Sequence, residues 1–327
     1  MPDLTHGDVE AAAGRVLGRV RPVAVSPLDP SASGEPSGIW LALEYMQHTG
    51  SFKARGAVNF LRAHQEGGTL PEAGVTIASG GNAGLAMAWA ARAMGVRATV
   101  FLPATAPGVK VARLKGYEAS VRLIEGEYAD AAEACAQYAA LTGALPGHAY
   151  DDPFVAAGAG TLLEELRTRI PGLDTVIVAV GGGGLFAGVA TAAHHHGIRT
   201  VAVEPENSRA LNAALLAGAP VDVTVDSIAN DALGARRASG TAVEVALRTG
   251  SRSLLVPDSA IAAARQTLWD QRRIVTELSG ATALAALPLA EGGGGYEPGP
   301  GEQVAVVLCG ANTDPSDLIA GAGSGTV

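Results

Sequence analysis

Between residues 58 and 145, short apolar runs alternate with alanine-rich stretches of helical period, and this alternation constrains the fold more than any other feature. The runs at 75–79, 98–103 and 119–124 have strand length, while 85–94, 109–114 and 128–141 read as helices. Strands joined by crossover helices pair in parallel, since antiparallel neighbours need only a tight turn. The same order returns later, with strands at 175–180, 200–203 and 303–308 and helices at 155–168, 185–194, 211–216, 261–273 and 282–290. Residues 221–225 read as a strand or extended segment. A helix over 7–20, a Pro/Ser/Gly loop through Ser37 and a strand at 38–44 precede the alternating region. The expected class is therefore α/β, with open twisted, mostly parallel sheets flanked by helices. A chain of 327 residues suits two lobes rather than one core. The expected division is a small domain at 51–145 set between 1–50 and 146–327, which together form a large one.

Several function classes are excluded by bulk properties. A net charge of −9 lacks the basic footprint of a nucleic-acid binder. Apolar runs such as 176–180 and 304–308 have strand length, so no membrane span is expected. The N-terminus lacks the basic start and apolar core of a signal peptide, which makes a cytoplasmic location the expectation. Cys135 and Cys309 are too far apart in sequence to suggest a zinc or disulfide framework.

Lysine is scarce: only Lys53, Lys110 and Lys115 occur, beside 20 arginines among the 23 basic residues. Arginine keeps its proton near neutral pH, whereas a lysine amine in an apolar niche can become a nucleophile. Lys110 and Lys115 lie in an amphipathic run and read as solvated helix charges. Lys53 differs, sitting in the small-residue stretch Thr49-Gly50-Ser51-Phe52-Lys53-Ala54-Arg55-Gly56-Ala57 at the start of a helix.

Three other stretches carry chemistry. Gly181-Gly182-Gly183-Gly184 joins a buried strand to a helix start, where bare backbone N–H groups and the helix dipole favour an anion such as phosphate. This run matches the dinucleotide fingerprint only loosely, although Glu204 after the next strand keeps a nucleotide reading open. Ser79-Gly80-Gly81-Asn82-Ala83 forms a turn after a strand, and Cys309 ends the strand at 303–308, where open α/β sheets place ligands. Within the irregular stretch 146–153, the cluster His148, Tyr150, Asp151 and Asp152 could line a cleft or link two lobes, and reads first as the link. His194, His195 and His196 point in different directions around a helix end and read as capping groups, so no metal is expected there. Cys135 reads as packing, and 292–295 as a surface loop.

Pyridoxal 5′-phosphate satisfies all four features: an aldehyde for the lysine, a phosphate for the glycines, a phenolic oxygen for an amide donor and a ring nitrogen for a weak polar partner. Carried by the Ser51–Ala57 motif and its order relative to the tetraglycine, nearly the whole chain resembles the fold-type II pyridoxal-phosphate enzymes, the tryptophan-synthase β-like group. Within that group it is similar to the serine/threonine dehydratase branch, shared with serine racemase. The resemblance implies that Lys53 holds the cofactor covalently, Phe52 packs on its ring and Asn82 bonds its 3′ oxygen. It further implies that Gly181, Gly182, Gly183, Gly184 and Leu185 hold the phosphate and that Cys309 faces the pyridine nitrogen. Ser79, Gly80, Gly81, Asn82 and Ala83 would clasp the substrate carboxylate, with Ser79 counted beside Lys53 as catalytic. The large domain would then bind cofactor and the small domain substrate, in a homodimer.

The implied activity is an ammonia-lyase converting L-threonine and/or L-serine to the 2-oxo acid and ammonia. Departures qualify it. Ala83 stands where the family commonly has histidine, and Gly80 where serine racemases carry the serine that serves the opposite face. Glu277-Leu278-Ser279-Gly280-Ala281 and Ser227-Ile228-Ala229-Asn230-Asp231 vary two further family motifs. The glycine at 80 argues for dehydration over racemisation, and the poor acidic pattern after Glu204 argues against a bound metal. No regulatory domain is expected beyond Val327. Alternatives are serine racemase, or a dehydratase of another β-hydroxy amino acid such as 3-hydroxyaspartate or a β-aryl serine. A cofactor-binding protein without turnover and a nucleotide-dependent oxidoreductase are the rivals from other classes.

Overall fold

The computed structural model describes residues 3–29, 37–288 and 292–321. The chain opens with α1 (His6–Val16), β1 (Val25–Pro27) and β2 (Ile39–Ala42). Then α2 (Lys53–Glu66) leads into β3 (Val75–Ala78), α3 (Asn82–Ala93), β4 (Ala98–Pro103), α4 (Gly108–Gly116), β5 (Ser120–Ile124), α5 (Tyr128–Thr142) and β6 (Leu145–Pro146). The next part runs α6 (Pro153–Arg169), β7 (Leu173–Ala179), α7 (Gly184–His195), β8 (Arg199–Pro205), α8 (Ala210–Ala217) and α9 (Asn230–Leu233). Last come α10 (Gly240–Thr249), β9 (Arg252–Val256), α11 (Asp258–Arg272), α12 (Leu278–Ala285), β10 (Gln303–Val307) and α13 (Ser316–Gly321).

These strands form two sheets, one six-stranded in the order β1-β2-β10-β7-β8-β9 and one four-stranded in the order β5-β4-β3-β6. Every pair is parallel except β1 with β2. Because side chains alternate along a strand, the large sheet feeds two cores. Val176, Val178 and Val180 with Ala305, Val307 and Cys309 face the side covered by α6, α7 and α10. Ile177, Ala179, Val304, Val306 and Leu308 face the side covered by α11 and α12.

This topology creates the crevice. From β7 the chain crosses through α7 to β8, whereas its other neighbour β10 arrives from α12 on the opposite face. The carboxyl ends of β7 and β10 therefore flank a switch point, the place where open sheets bind ligands. In the small sheet β3 is flanked by β4 and β6, and its carboxyl end runs into Ser79.

Helix α2 is locked onto α6 by close backbone approach. A Cβ on Gly158 would stand 2.7 Å from the Arg55 carbonyl oxygen, and one on Gly56 would stand 2.8 Å from that of Val155. Only glycine allows this spacing.

Some expectations are corrected. The first helix stops at Val16 rather than residue 20, because Gly18 takes a φ of +72° in the following turn. Residues 221–225 form no strand; Val223 donates to the Arg236 carbonyl at 2.8 Å within a loop. Helix α12 starts at Leu278 and ends at Ala285, and the expected tail at 289–290 lies outside the described residues, as do loop residues 30–36. Strands β1, β6 and β9 and helices α9, α10 and α13 have no counterpart among the elements expected from sequence. Among the described residues no helix is long and apolar enough to cross a membrane.

Candidate active site

A cleft of about 740 Å³ opens where the carboxyl ends of the two sheets meet. It brings together every site residue anticipated from sequence: Phe52, Lys53, the 79–83 turn, the tetraglycine, Leu185 and Cys309.

Lys53 begins α2, and its Nζ donates to the Ala149 carbonyl at 3.1 Å while lying 4.7 Å from the centre of the Phe52 ring. Burial pushes its pKa down to about 8, opposed by the charges Cys309 and Glu277 would bring. Cys309 offers little opposition near neutral pH. Burial and then the Glu277 charge push its thiol up to about 12, so it stands protonated, donating to the Ser279 carbonyl at 3.6 Å. Lys53 is thus an amine with a substantial neutral fraction beside a neutral thiol.

Backbone bonds fix the two residues relative to each other. Ser51 and Gly310 form an antiparallel bridge, Phe52 N–H donates to the Cys309 carbonyl at 3.0 Å, and Ala311 N–H donates to the Gly50 carbonyl at 2.9 Å. Two residues past the lysine, the fully buried Arg55 donates to Glu44 at 2.6 and 3.1 Å and to Glu165 at 2.7 and 3.2 Å. Burial alone would lower the guanidinium pKa, but the Glu44 charge and the hydrogen bonds Arg55 donates to both carboxylates raise it, so Arg55 stays charged. This triad clamps the start of α2 to the chain after β2 and to α6.

The backbone of the tetraglycine is packed too closely by its neighbours to carry side chains. A Cβ on Gly182 would lie 2.3 Å from the Tyr150 ring, and one on Gly183 would lie 2.3 Å from Ala242 Cβ. Gly183 also takes a φ of +97° as the cap of α7. The first-turn amides of α7 have no acceptors within their own helix and point at this loop.

Asn82 opens α3, and its side-chain amide donates to both oxygens of Glu277, at 2.9 and 3.0 Å. Its Oδ1 accepts from Asn312 Nδ2 at 2.7 Å. Glu277 also accepts from Asn312 N–H at 2.7 Å and from Ser279 Oγ at 2.9 Å. Sequence marks Glu277 only as part of a variant motif; its place at the hub of this network comes from the structure. Ala149 and Tyr150, which sequence assigns to a linker, line the cleft, while Asp152 caps α6 through Val155 N–H at 3.0 Å. Lys110, expected to be solvated, pairs with Asp231 at 3.0 Å across the cleft mouth.

The nucleotide reading loses its acidic residue. Glu204 is buried, and its oxygens accept from Leu211 and Asn212 N–H groups at 2.7 Å each at the start of α8. Burial pushes its carboxyl up to about 7, against the two backbone hydrogen bonds, which lower it.

Comparison with known proteins decides the family. The family model for pyridoxal-phosphate dependent enzymes matches residues 18–310. The chain belongs to that family. As a pyridoxal-phosphate dependent enzyme it is 33% identical over 287 residues to the catabolic L-threonine dehydratase TdcB of Staphylococcus aureus (strain USA300), covering 86% of this chain and 82% of that one. Among solved structures it is similar to maize serine racemase, with TM-score 0.85, 27% identity, and 98% and 96% of the two chains covered. It is also similar to a threonine deaminase from T.th., with TM-score 0.82, 29% identity, and 96% and 99% covered. The two mostly parallel sheets of the tryptophan-synthase β-like fold are those of this family. The residues of the cleft fit its cofactor: a glycine cradle closed to any Cβ, and an amine whose pKa is depressed, stand in one cavity.

Proposed function

We propose that this enzyme is an ammonia-lyase that dehydrates L-threonine and/or L-serine, releasing the 2-oxo acid and ammonia. The observation that carries the reading is a cleft that holds Lys53, the amine with a depressed pKa, and has glycine at position 80. A Cβ on Gly80 would stand 2.5 Å from Leu102 Cδ2, so Leu102 fills the space where a racemase's second acid/base would project. Its relatives named threonine dehydratase and threonine deaminase support the same direction.

Bound pyridoxal phosphate supplies an electron sink that acidifies the α-proton of the amino acid. In the proposed assignment Lys53 holds the cofactor, and Gly181, Gly182, Gly183, Gly184 and Leu185 take its phosphate through backbone N–H groups. Phe52 packs against its ring, Asn82 donates toward its phenolic oxygen, and the Cys309 thiol faces its ring nitrogen. The Ser79 hydroxyl and the amides of Gly80, Gly81, Asn82 and Ala83 orient the substrate carboxylate. Lys53, once free, accepts the α-proton as a neutral amine, and as an ammonium it can return a proton to the departing β-hydroxyl, which leaves as water. Residues 51–145 act as the substrate-side unit and the remainder as the cofactor-side unit, in a cytoplasmic homodimer.

A second reading, dehydration of 3-hydroxyaspartate, draws support from Arg236 on the cleft wall, which suits a second carboxylate, while its neighbour Arg237 is paired with Asp222 at 2.7 Å. A panel of β-hydroxy amino acids, assayed for 2-oxo acid and for D-amino acid, separates the readings. Turnover of threonine or serine to 2-oxo acid is the expected outcome, and accumulation of D-amino acid without 2-oxo acid would sink it.

A further inference from the structure

The histidine run at the end of α7 has no part in the cleft, yet one member converges with groups from two other helices. His196, the cap residue of α7, places Nε2 2.9 Å from Glu164 Oε1. His6, in the first turn of α1, brings its own Nε2 to the same oxygen at 3.0 Å. These three ligand-type atoms lie within 4.8 Å of one another. Arg167 Nε holds the other carboxylate oxygen at 2.7 Å, leaving Oε1 turned toward both imidazoles. His195 stacks flat on His6, with ring centres 3.8 Å apart and planes 2° from parallel, which fixes the His6 ring.

We propose that His6, Glu164 and His196 form a binding site for a divalent ion of the zinc class, with a fourth position open to water. Two imidazole nitrogens and one carboxylate oxygen are an ordinary zinc donor set, and bonds of about 2.0–2.1 Å put tetrahedral ligand atoms about 3.3 Å apart. Each imidazole nitrogen already stands within 3.0 Å of the shared oxygen, and all three atoms lie within 4.8 Å of one another, so modest side-chain adjustments bring them to that spacing. The outer bond from Arg167 orients the ligand as supporting residues do at metal centres. The side chains are 20%, 16% and 22% exposed, which leaves an entry path. Three adjacent histidines on one helix cannot share an ion; one of them joined by residues from α1 and α6 can.

The 12 residues of α7 span about 18 Å and separate this site from the glycine loop at the other end of the helix. The ion therefore clasps α1 to α6 and α7 and takes no part in the reaction.

The test uses cofactor-loaded protein freed of metal with chelator and titrated with zinc chloride, followed by calorimetry and thermal melting. One ion is expected per chain, with a melting temperature raised by about 4 °C at a hundredfold excess over the dissociation constant. Glu164→Gln and His196→Ala should abolish both signals, while His194→Ala, outside the cluster, should keep both. Should His196→Ala fail to fold, His6→Ala replaces it, read by zinc-dependent difference rather than absolute stability. No bound zinc, binding unchanged in Glu164→Gln, or equal loss in His194→Ala would overturn the proposal; the last outcome would mean adventitious binding to the surface run.

Discussion

The side-chain amide of Asn82 spans both carboxylate oxygens of Glu277, at 2.9 and 3.0 Å, joining the first residue of α3 to the residue before α12. Across that bond the helix that follows the small sheet's β3 is held against the large sheet's switch point. Glu277→Gln replaces one acceptor oxygen with a donor that faces the Asn82 amide and either the Asn312 N–H or the Ser279 hydroxyl. A stability loss of about 1.5–3 kcal/mol in urea melts is expected. A weaker hold on the cofactor should accompany it, measured as a higher dissociation constant.

Arg55 supports the same cleft from behind. Removing the guanidinium in Arg55→Met leaves Glu44, 1% exposed, as a buried carboxylate without its partner. A loss of about 3–5 kcal/mol is expected in equilibrium unfolding. Double replacement with Glu44→Gln should recover part of that loss, because the cost lies in the orphaned charge.

Gly182 has no room for a methyl group, since the Tyr150 ring occupies its Cβ position at 2.3 Å. Gly182→Ala must displace Tyr150, whose neighbour Ala149 accepts the Lys53 hydrogen bond. Cofactor affinity measured by absorbance titration should fall about 10- to 100-fold. Adding Tyr150→Ala should restore part of it, which distinguishes crowding from a direct effect on the phosphate.

The strands buried on both faces, β7, β8 and β10, and the helices that follow β3 and β7 are legible in sequence because apolar runs bounded by glycine have few other meanings. Strand β9 escapes such a reading because it is an edge strand whose burial rises only toward Val256. Residues 221–225 alternate like a strand, yet they join neither sheet and sit in a loop in which Val223 bonds the Arg236 carbonyl. The anticipated site residues do share one cavity, since each lies at a strand end or helix start where the topology collects ligands. The network of Asn82, Glu277 and Asn312 is not legible. Its members are 195 and 35 residues apart in the chain, and no local pattern marks a pairing created only by two sheets meeting. The His6–Glu164–His196 cluster stays hidden because its members come from three helices far apart in the chain.

Lys53 should impose a pH dependence on loading of the cofactor-free protein. Only the neutral amine attacks an aldehyde, and its pKa is lowered to about 8 from an unperturbed 10.5. The loading rate, followed by absorbance, should rise about tenfold per pH unit toward 8 and level off above it. Between those two values the unfolded chain binds the extra proton. The stability of the cofactor-free protein should therefore rise with pH through that window.

Borohydride reduction of the cofactor-loaded enzyme, followed by peptide mapping, tests the central claim most directly, because the chain offers only Lys53, Lys110 and Lys115 as side-chain amines. The account requires one pyridoxyl group, on the peptide that carries Lys53, and its loss together with turnover in Lys53→Ala. A pyridoxyl group on Lys110 or Lys115 instead, or none on the Lys53 peptide, would contradict it.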